Sequence, residues 1–153
     1  MITNIIISAV LIIVDRISKI LAAKYLIGAP TVVVIPHFLG LRYLENTGMA
    51  FSMLSGKTAL LALITGIALL FLAYFIFIKP SKNKFENMCF ILIFAGGIGN
   101  LIDRVFQGYV IDYFEFLFMK FAVFNVADVY VCLGVGLYVL YTLYTEFYLK
   151  GKK

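Results

Sequence analysis

Charge is what this chain of 153 residues has least of: Asp, Glu, Lys and Arg make up 14%, against 63% hydrophobic residues and a mean hydropathy of +1.03. A soluble domain is about 25% charged, so there is too little polar surface here to cover a water-soluble core, and the chain reads as a membrane protein. Histidine stops at one, His37, beside Pro36 in a loop. Cysteine stops at two, Cys89 and Cys132, each inside an apolar run and not in a CxxC pair. They read as small apolar fillers, because a disulfide or zinc site needs ligands the sequence does not cluster. Ser52 and Ser55 have no His or Lys base in their own segment. Length excludes more: four crossings of roughly 20 residues each leave no room for a Rossmann unit, a repeat array or a separate soluble domain. No repeat or dividing linker is visible, so residues 1–153 are expected to form a single membrane domain. The net charge is 13 minus 8, or +5; its placement argues for topology rather than for a nucleic-acid partner.

Four spans are predicted, at 2–26, 58–78, 85–104 and 124–147. Thr58 to Ile78 runs 21 positions without a charge, and Asn87 to Ile102 and Val129 to Thr145 give uncharged runs of 16 and 17. The first segment holds ten uncharged residues, Ile5 to Val14, and then meets Asp15, Arg16 and Lys19. A cleaved signal peptide would need a basic segment ahead of its apolar run, and Met1 to Asn4 has none, so a retained first helix is expected. Orientation follows from the basic loops. Lys79 to Lys84 and Lys150 to Lys153 hold six of the 13 basic residues in ten positions, which places both termini in the cytoplasm and residues 27–57 and 105–123 outside. The β-branched run Thr31 to Ile35 and the loosely alternating Phe38 to Leu44 predict two or three short strands. The fold class is then an all-α integral membrane protein with four transmembrane helices and a small extracytoplasmic β-sheet. The aromatic stretch Tyr113 to Phe121 is expected in the headgroup layer.

Ionisable groups at membrane depth cost at least ~2.5–3.5 kcal/mol each on insertion scales and mark functional sites by default. Asp15 and Lys19, four apart, share a helix face and can pair; a structural role and a part in a site both fit. Asn100, Asp103 and Arg104, at i, i+3 and i+4, project from one face, beside glycines, Gly96 and Gly99, that admit a neighbouring helix. Packing explains the glycines, whereas Arg104 is a permanently charged planar donor suited to a carbonyl or carboxylate. Asp112 sits between apolar neighbours, and Asp128 lies about one turn into the fourth helix, where Asn125 could simply cap. The 15 residues between Asp112 and Asp128 suffice to fold back, so two carboxylates can face each other. Together in a poorly hydrated place they cannot both ionise easily, which leaves one base and one acid. Such a pair can deprotonate a water for attack on a peptide carbonyl and then protonate the leaving amine.

Five segments in order, Asp15-Arg16-Ile17-Ser18-Lys19, Asn46-Thr47-Gly48-Met49-Ala50-Phe51-Ser52, Gly99-Asn100-Leu101-Ile102-Asp103-Arg104, Val110-Ile111-Asp112-Tyr113 and Asn125-Val126-Ala127-Asp128, together resemble the lipoprotein signal peptidase family, also called signal peptidase II. One tetrapeptide is weak; five in order on this topology are specific. The resemblance implies a multi-pass intramembrane aspartic endopeptidase of the bacterial cytoplasmic membrane, its site near the outer face. Such an enzyme removes the signal peptide of a diacylglyceryl-modified prolipoprotein by cutting before the lipidated cysteine. It implies Asp112 and Asp128 as the catalytic dyad, and Asn46, Asn100, Arg104 and Asn125 as residues holding substrate or a globomycin-type inhibitor. Asp15 matches a supporting position, and Asp103 is expected to support Arg104. The family further implies an outer sheet at Thr31 to Leu44 that cradles substrate and a flap at Thr47 to Leu54; a monomer among membrane lipids is the default expectation, and with almost no imidazole or thiolate neither metal nor cofactor is expected. Arg16 and Ser18 stand where the family usually has Gln and Thr, and Met49 where it often has Ala, without touching the dyad. Two rivals remain from the residues alone. A proton-coupled carrier would want midplane carboxylates and an inverted repeat, and a non-catalytic scaffold would use its polar residues for packing only.

Overall fold

The computed structural model describes residues 2–49 and 53–150. Ala50, Phe51 and Ser52 of the expected flap, and Gly151 to Lys153 of the basic tail, lie outside the described residues. Helix α1 spans Ile2–Leu26, strand β1 Val32–Ile35, strand β2 Leu39–Asn46 and helix α2 Thr58–Ala73, which loosens into a π-helical turn over Tyr74–Ile78. Helix α3 follows over Lys84–Gln107, strand β3 over Val110–Phe116 and helix α4 over Val126–Tyr144, continued by a π-helical turn over Thr145–Lys150. The molecule is mostly helical, with one small three-stranded antiparallel sheet.

Among the described residues, three helices are long and apolar enough to cross a membrane: Thr58–Ile78, Lys84–Gln107 and Val126–Tyr148. At 25 residues α1 has the length, but it carries Asp15, Arg16, Lys19 and Lys24. It is built inside out. Its buried residues, Ser8, Asp15, Lys19, Ala22 and Leu26, follow a helical stripe, while Ile5, Ile6, Val10, Ile13, Val14 and Ile17 are exposed.

Local chemistry fixes the helix ends. The Asn83 side chain accepts hydrogen bonds from the backbone of Phe85 and Glu86 at the start of α3, and Gly108, at φ 79°, supplies the left-handed residue that ends it. Asn125 and Asp128 form a reciprocal capping box at the start of α4. Where α2 loosens, the Asn4 amide donates to the carbonyl of Ile76 at 3.0 Å, satisfying a group that a helix end would otherwise leave open. Helices α3 and α4 touch backbone to backbone: a Cβ on Gly96 would overlap the Ala127 carbonyl.

The sheet differs from the expected one in a way that matters. The first outer loop supplies β1 and β2, joined through His37, but the third strand comes from the second loop and pairs with β2, in the order β1-β2-β3. Tyr113 to Phe116 therefore lie in a strand, with Tyr113 buried, not in a surface loop; Phe118 and Met119 remain exposed beyond it. The reason is pairing: an exposed row of backbone donors on β2 is satisfied by a second strand. Between Leu41 and Leu44 β2 holds one residue more than β3 does opposite it, a bulge that shifts which face the later side chains occupy. On one side of β3, Ile111 and Tyr113 pack against Ala22 and Leu26 of α1. Asp112 consequently sits on a strand buried on both faces.

Candidate active site

Each of the six polar positions is held by a distinct backbone feature. Asp112 lies mid-strand in β3, 2% exposed; Asp128 is the third residue of α4, held by the capping box. The chain before α4 is pinned to β3 by reciprocal hydrogen bonds between Phe114 and Phe124, at 2.7 and 3.0 Å, so two carboxylates 16 positions apart in sequence meet at one place. Asn46 ends β2, and Asn100 and Arg104 stand one turn apart on α3.

The asparagines wire the carboxylates together. Asn125 Nδ2 donates to Asp112 Oδ1 at 2.6 Å, while its backbone N–H donates to Asp128 Oδ2 at 3.1 Å. Asn46 Nδ2 donates to Asp112 Oδ2 at 2.9 Å, and Asn100 Nδ2 to Asp128 Oδ1 at 2.8 Å. All four carboxylate oxygens thus accept a protein donor. Asn125 serves as helix cap and as site residue at once, because its Oδ1 caps Asp128 N–H at 2.9 Å while its Nδ2 holds Asp112. Arg104 Nη2 donates to the carbonyl of Gly48 at 3.1 Å, and its Nε is buried without a partner among the described residues. Burial first, and then the negative charge of Asp128, push the Asp112 carboxyl up to about 7. It therefore still holds a proton on the acid side of neutrality, where an ordinary carboxyl is ionised.

Asp112, Asp128, Asn46, Asn100 and Arg104 all line one groove of about 690 Å³. Its far wall is apolar, formed by Ile64, Leu69 and Leu72 of α2 and by Phe116, Phe121 and Phe124. Cys132 also lines it, whereas Cys89 is buried against α4. A large apolar cavity with a few convergent polar groups and a perturbed carboxyl is the form a substrate site takes.

Comparison with known proteins now decides the family. A family model described as signal peptidase (SPase) II matches residues 7–144. The chain belongs to the signal peptidase II family. A lipoprotein signal peptidase from Caldanaerobacter subterraneus subsp. tengcongensis is 45% identical over 130 residues, 85% of this chain and 88% of that protein. Another from Clostridium tetani is 38% identical over 140 residues, 90% of each. Two solved structures of a bacterial membrane enzyme, both obtained by the in meso method, share the fold with TM-scores of 0.85 and 0.82 at 34% and 36% identity. They cover 94% and 92% of this chain and 89% and 92% of theirs.

Asp15 and Asp103, expected as supporting residues, do not line the groove. They lie behind the groove in a fully buried ion cluster with Lys19, which pairs with Asp15 at 3.0 Å and Asp103 at 2.9 Å. Asp103 also pairs with Arg16. Its hydrogen bonds go to Arg16 and to the N–H of Ile111, so it does not hold Arg104 as expected. Lys19, for which the sequence leaves a structural role and a part in a site open, and Arg16, to which it assigns no role, complete this cluster. The i, i+4 spacing signals only the pairing of Lys19 with Asp15; its reach to a residue 81 positions away has no local signature.

Proposed function

We propose that this signal peptidase II is a membrane-embedded aspartic endopeptidase that cuts diacylglyceryl-modified prolipoproteins just before the lipidated cysteine, with Asp112 and Asp128 as its dyad. The observation that carries this reading is the pair of carboxylates wired through Asn125 at the head of one apolar groove. Asp112, raised to about 7, holds the proton and acts as general acid. Asp128, half-buried and facing the same groove, takes a proton from water as that water attacks the scissile carbonyl. The proton on Asp112 moves to the developing oxyanion; Asp128 then protonates the nitrogen, the C–N bond breaks to release the amine, and the collapsing gem-diol returns a proton to Asp112.

The surroundings fit this substrate. Signal helix and acyl chains already reside in the bilayer, so burial supplies orientation and leaves the dyad only the chemistry. The Arg104 guanidinium, with Nε unpartnered, and the amides of Asn46 and Asn100 line the groove and are the groups for substrate backbone or a globomycin-type inhibitor; Asn125, expected to share that role, is wholly buried with its amide committed to Asp112 and Asp128, and acts through the dyad instead. Phe116 and Phe121 offer the acyl chains an apolar wall. The topology proposed with it has four crossings: Asp15, Arg16 and Lys19 of α1 are paired on its inner side and Lys24 stands exposed in the last turn, leaving an apolar outer surface along the rest of the helix. Both termini are cytoplasmic on the basic-loop argument, the dyad faces outward in the inner membrane, residues 1–153 form one domain, and the protein works as a monomer among membrane lipids.

The deciding experiment is cleavage of a diacylglyceryl prolipoprotein, beside its unlipidated precursor, by wild type, Asp112→Asn and Asp128→Asn in detergent. Cleavage of the lipidated form alone, with both variants folded and inactive, supports the reading. Variants that cut at the wild-type rate sink the dyad.

A further inference from the structure

The buried ion cluster behind the groove does more than satisfy itself. Asp15 Oδ1 accepts the backbone N–H of Ala127 at 2.9 Å, and Asp103 Oδ2 accepts that of Ile111 at 3.2 Å. Each carboxylate therefore grips the residue immediately before one member of the dyad. Lys19 joins the two grips, and its third donor goes to Asn100 Oδ1 at 2.8 Å. An ammonium has three N–H donors and no acceptor; all three are used, on a side chain with no exposed surface. That last bond has a directional consequence. Because Lys19 can only donate, and Asn125 Nδ2 also donates to Asn100 Oδ1 at 3.1 Å, the Asn100 amide can point its oxygen only toward the cluster. Its NH₂ must face Asp128 Oδ1.

We propose that Lys19 is a positioning residue for the dyad: through Asn100 it sets which atom meets Asp128, and through Asp15 and Asp103 it holds the backbone immediately before each reacting carboxylate. This rests on the peptidase reading above. Lys19 touches neither the groove nor the dyad, so its removal acts on the chemical step rather than on substrate binding. A misplacement of about 1 Å in a positioned group costs on the order of 10- to 100-fold in rate.

Removing the cation alone strands buried negative charge and threatens the fold, so the test pairs it with a neutralising change. Asp15→Asn/Lys19→Met restores the charge balance and keeps an oxygen for Ala127 N–H. Purified wild type, Lys19→Met, Asp15→Asn, Asp15→Asn/Lys19→Met, Asn100→Ala and Asn100→Ala/Lys19→Met are compared for thermal midpoint in detergent and for kcat and KM on a diacylglyceryl prolipoprotein. The expected result is a double variant with its melting temperature back near that of Asp15→Asn, kcat still about 10- to 100-fold below it, and KM within about twofold. In the Asn100→Ala background, Lys19→Met should cost markedly less in kcat than it does in wild type, because the route is already cut. Recovery of kcat along with stability, a loss carried by KM, or full additivity with Asn100→Ala overturns the proposal. Should every Lys19→Met protein fail to fold, Lys19→Arg keeps the cation, and the same split between kcat and KM decides. Wild type that cuts no lipidated substrate would instead remove the peptidase reading itself.

Discussion

Two clusters of ionised side chains share Asn100 and differ in nearly everything else. The one behind it sets Asp15 and Asp103 against Lys19 and Arg16, two charges of each sign, with the first three side chains wholly buried and densely bonded. The one in front sets Asp112 and Asp128 against Arg104, with one negative charge too many when both acids are ionised, and opens on a groove of about 690 Å³. Buried charge is tolerable when paired and bonded, and costly otherwise. The rear cluster is the solved form of that problem; the front cluster leaves it unsolved, as a site that must exchange protons requires. The sign of a mutational effect should therefore invert between them.

The largest stability loss belongs to the rear. Asp103→Ala frees Arg16, leaves Lys19 with one carboxylate instead of two and deprives the Ile111 N–H of its acceptor. Breaking one partner out of a buried pair costs about 3–5 kcal/mol, and chemical or thermal unfolding in detergent should register a loss of that order. A loss under about 1 kcal/mol would place water in the cluster and dissolve the contrast.

The front cluster should respond the other way. Folding raises the Asp112 carboxyl from 3.8 to about 7, so between those values the folded protein binds more protons than the unfolded chain, and stability falls as pH rises through the window. Asp112→Asn removes that penalty. It should leave the melting temperature unchanged near pH 4 and raise it near pH 8, while lowering kcat by about 10²–10⁴-fold. The same group sets the basic limb of activity: kcat/KM of wild type should decline above an apparent pKa near 7, a value that belongs to the coupled pair. A variant destabilised at pH 8, or a rate that climbs through pH 8, would show that Asp112 enters the cycle ionised.

Much of this architecture is legible in the amino-acid sequence, and the boundary of what is legible is physical. Three of the helices follow from apolar length, and the cap of α4 from Asn125, because both are local signals. The meeting of Asp112 with Asn46 is not. It depends on β3 joining β2 and on one extra residue between Leu41 and Leu44, and a bulge of one residue leaves no mark in an alternating pattern that is already loose. Asp103 shows the same boundary from another side. The resemblance makes it a support for Arg104, yet adjacent residues on a helix diverge by about 100°, and α1 packs on the Asp103 side with Lys19 and Arg16. Short-range pattern places a polar residue at the right depth; only packing chooses its partner.

A smaller effect tests how rigidly the two clusters are spaced. A Cβ at Gly99 would overlap the carboxylate of Asp15 and press on the Ala127 side chain. Neither can retreat easily, since Asp15 is tied to Lys19 and to Ala127 N–H. Gly99→Ala should cost about 1–3 kcal/mol through overpacking, with part of the damage appearing in kcat because the strain reaches α4 one residue before Asp128.

The smallest effect calibrates the others. Arg42 of β2 pairs with Glu115 of β3 at 3.2 Å, with 46% and 22% of their side chains exposed. It has the same formal chemistry as Arg16 with Asp103, but solvent screens it, and exposed pairs contribute about 0–1 kcal/mol. Arg42→Ala should shift stability by less than about 0.5 kcal/mol in either direction, measured beside Asp103→Ala under identical detergent and salt. Arg42 also borders a polar recess with Asn46 and Thr47 on its rim, so a substantial change in KM without a change in stability would assign Arg42 to substrate contact rather than to the sheet. An effect on stability as large as that of Asp103→Ala would mean that burial is not what separates the two kinds of ion pair, and the contrast between front and rear would lose its physical basis.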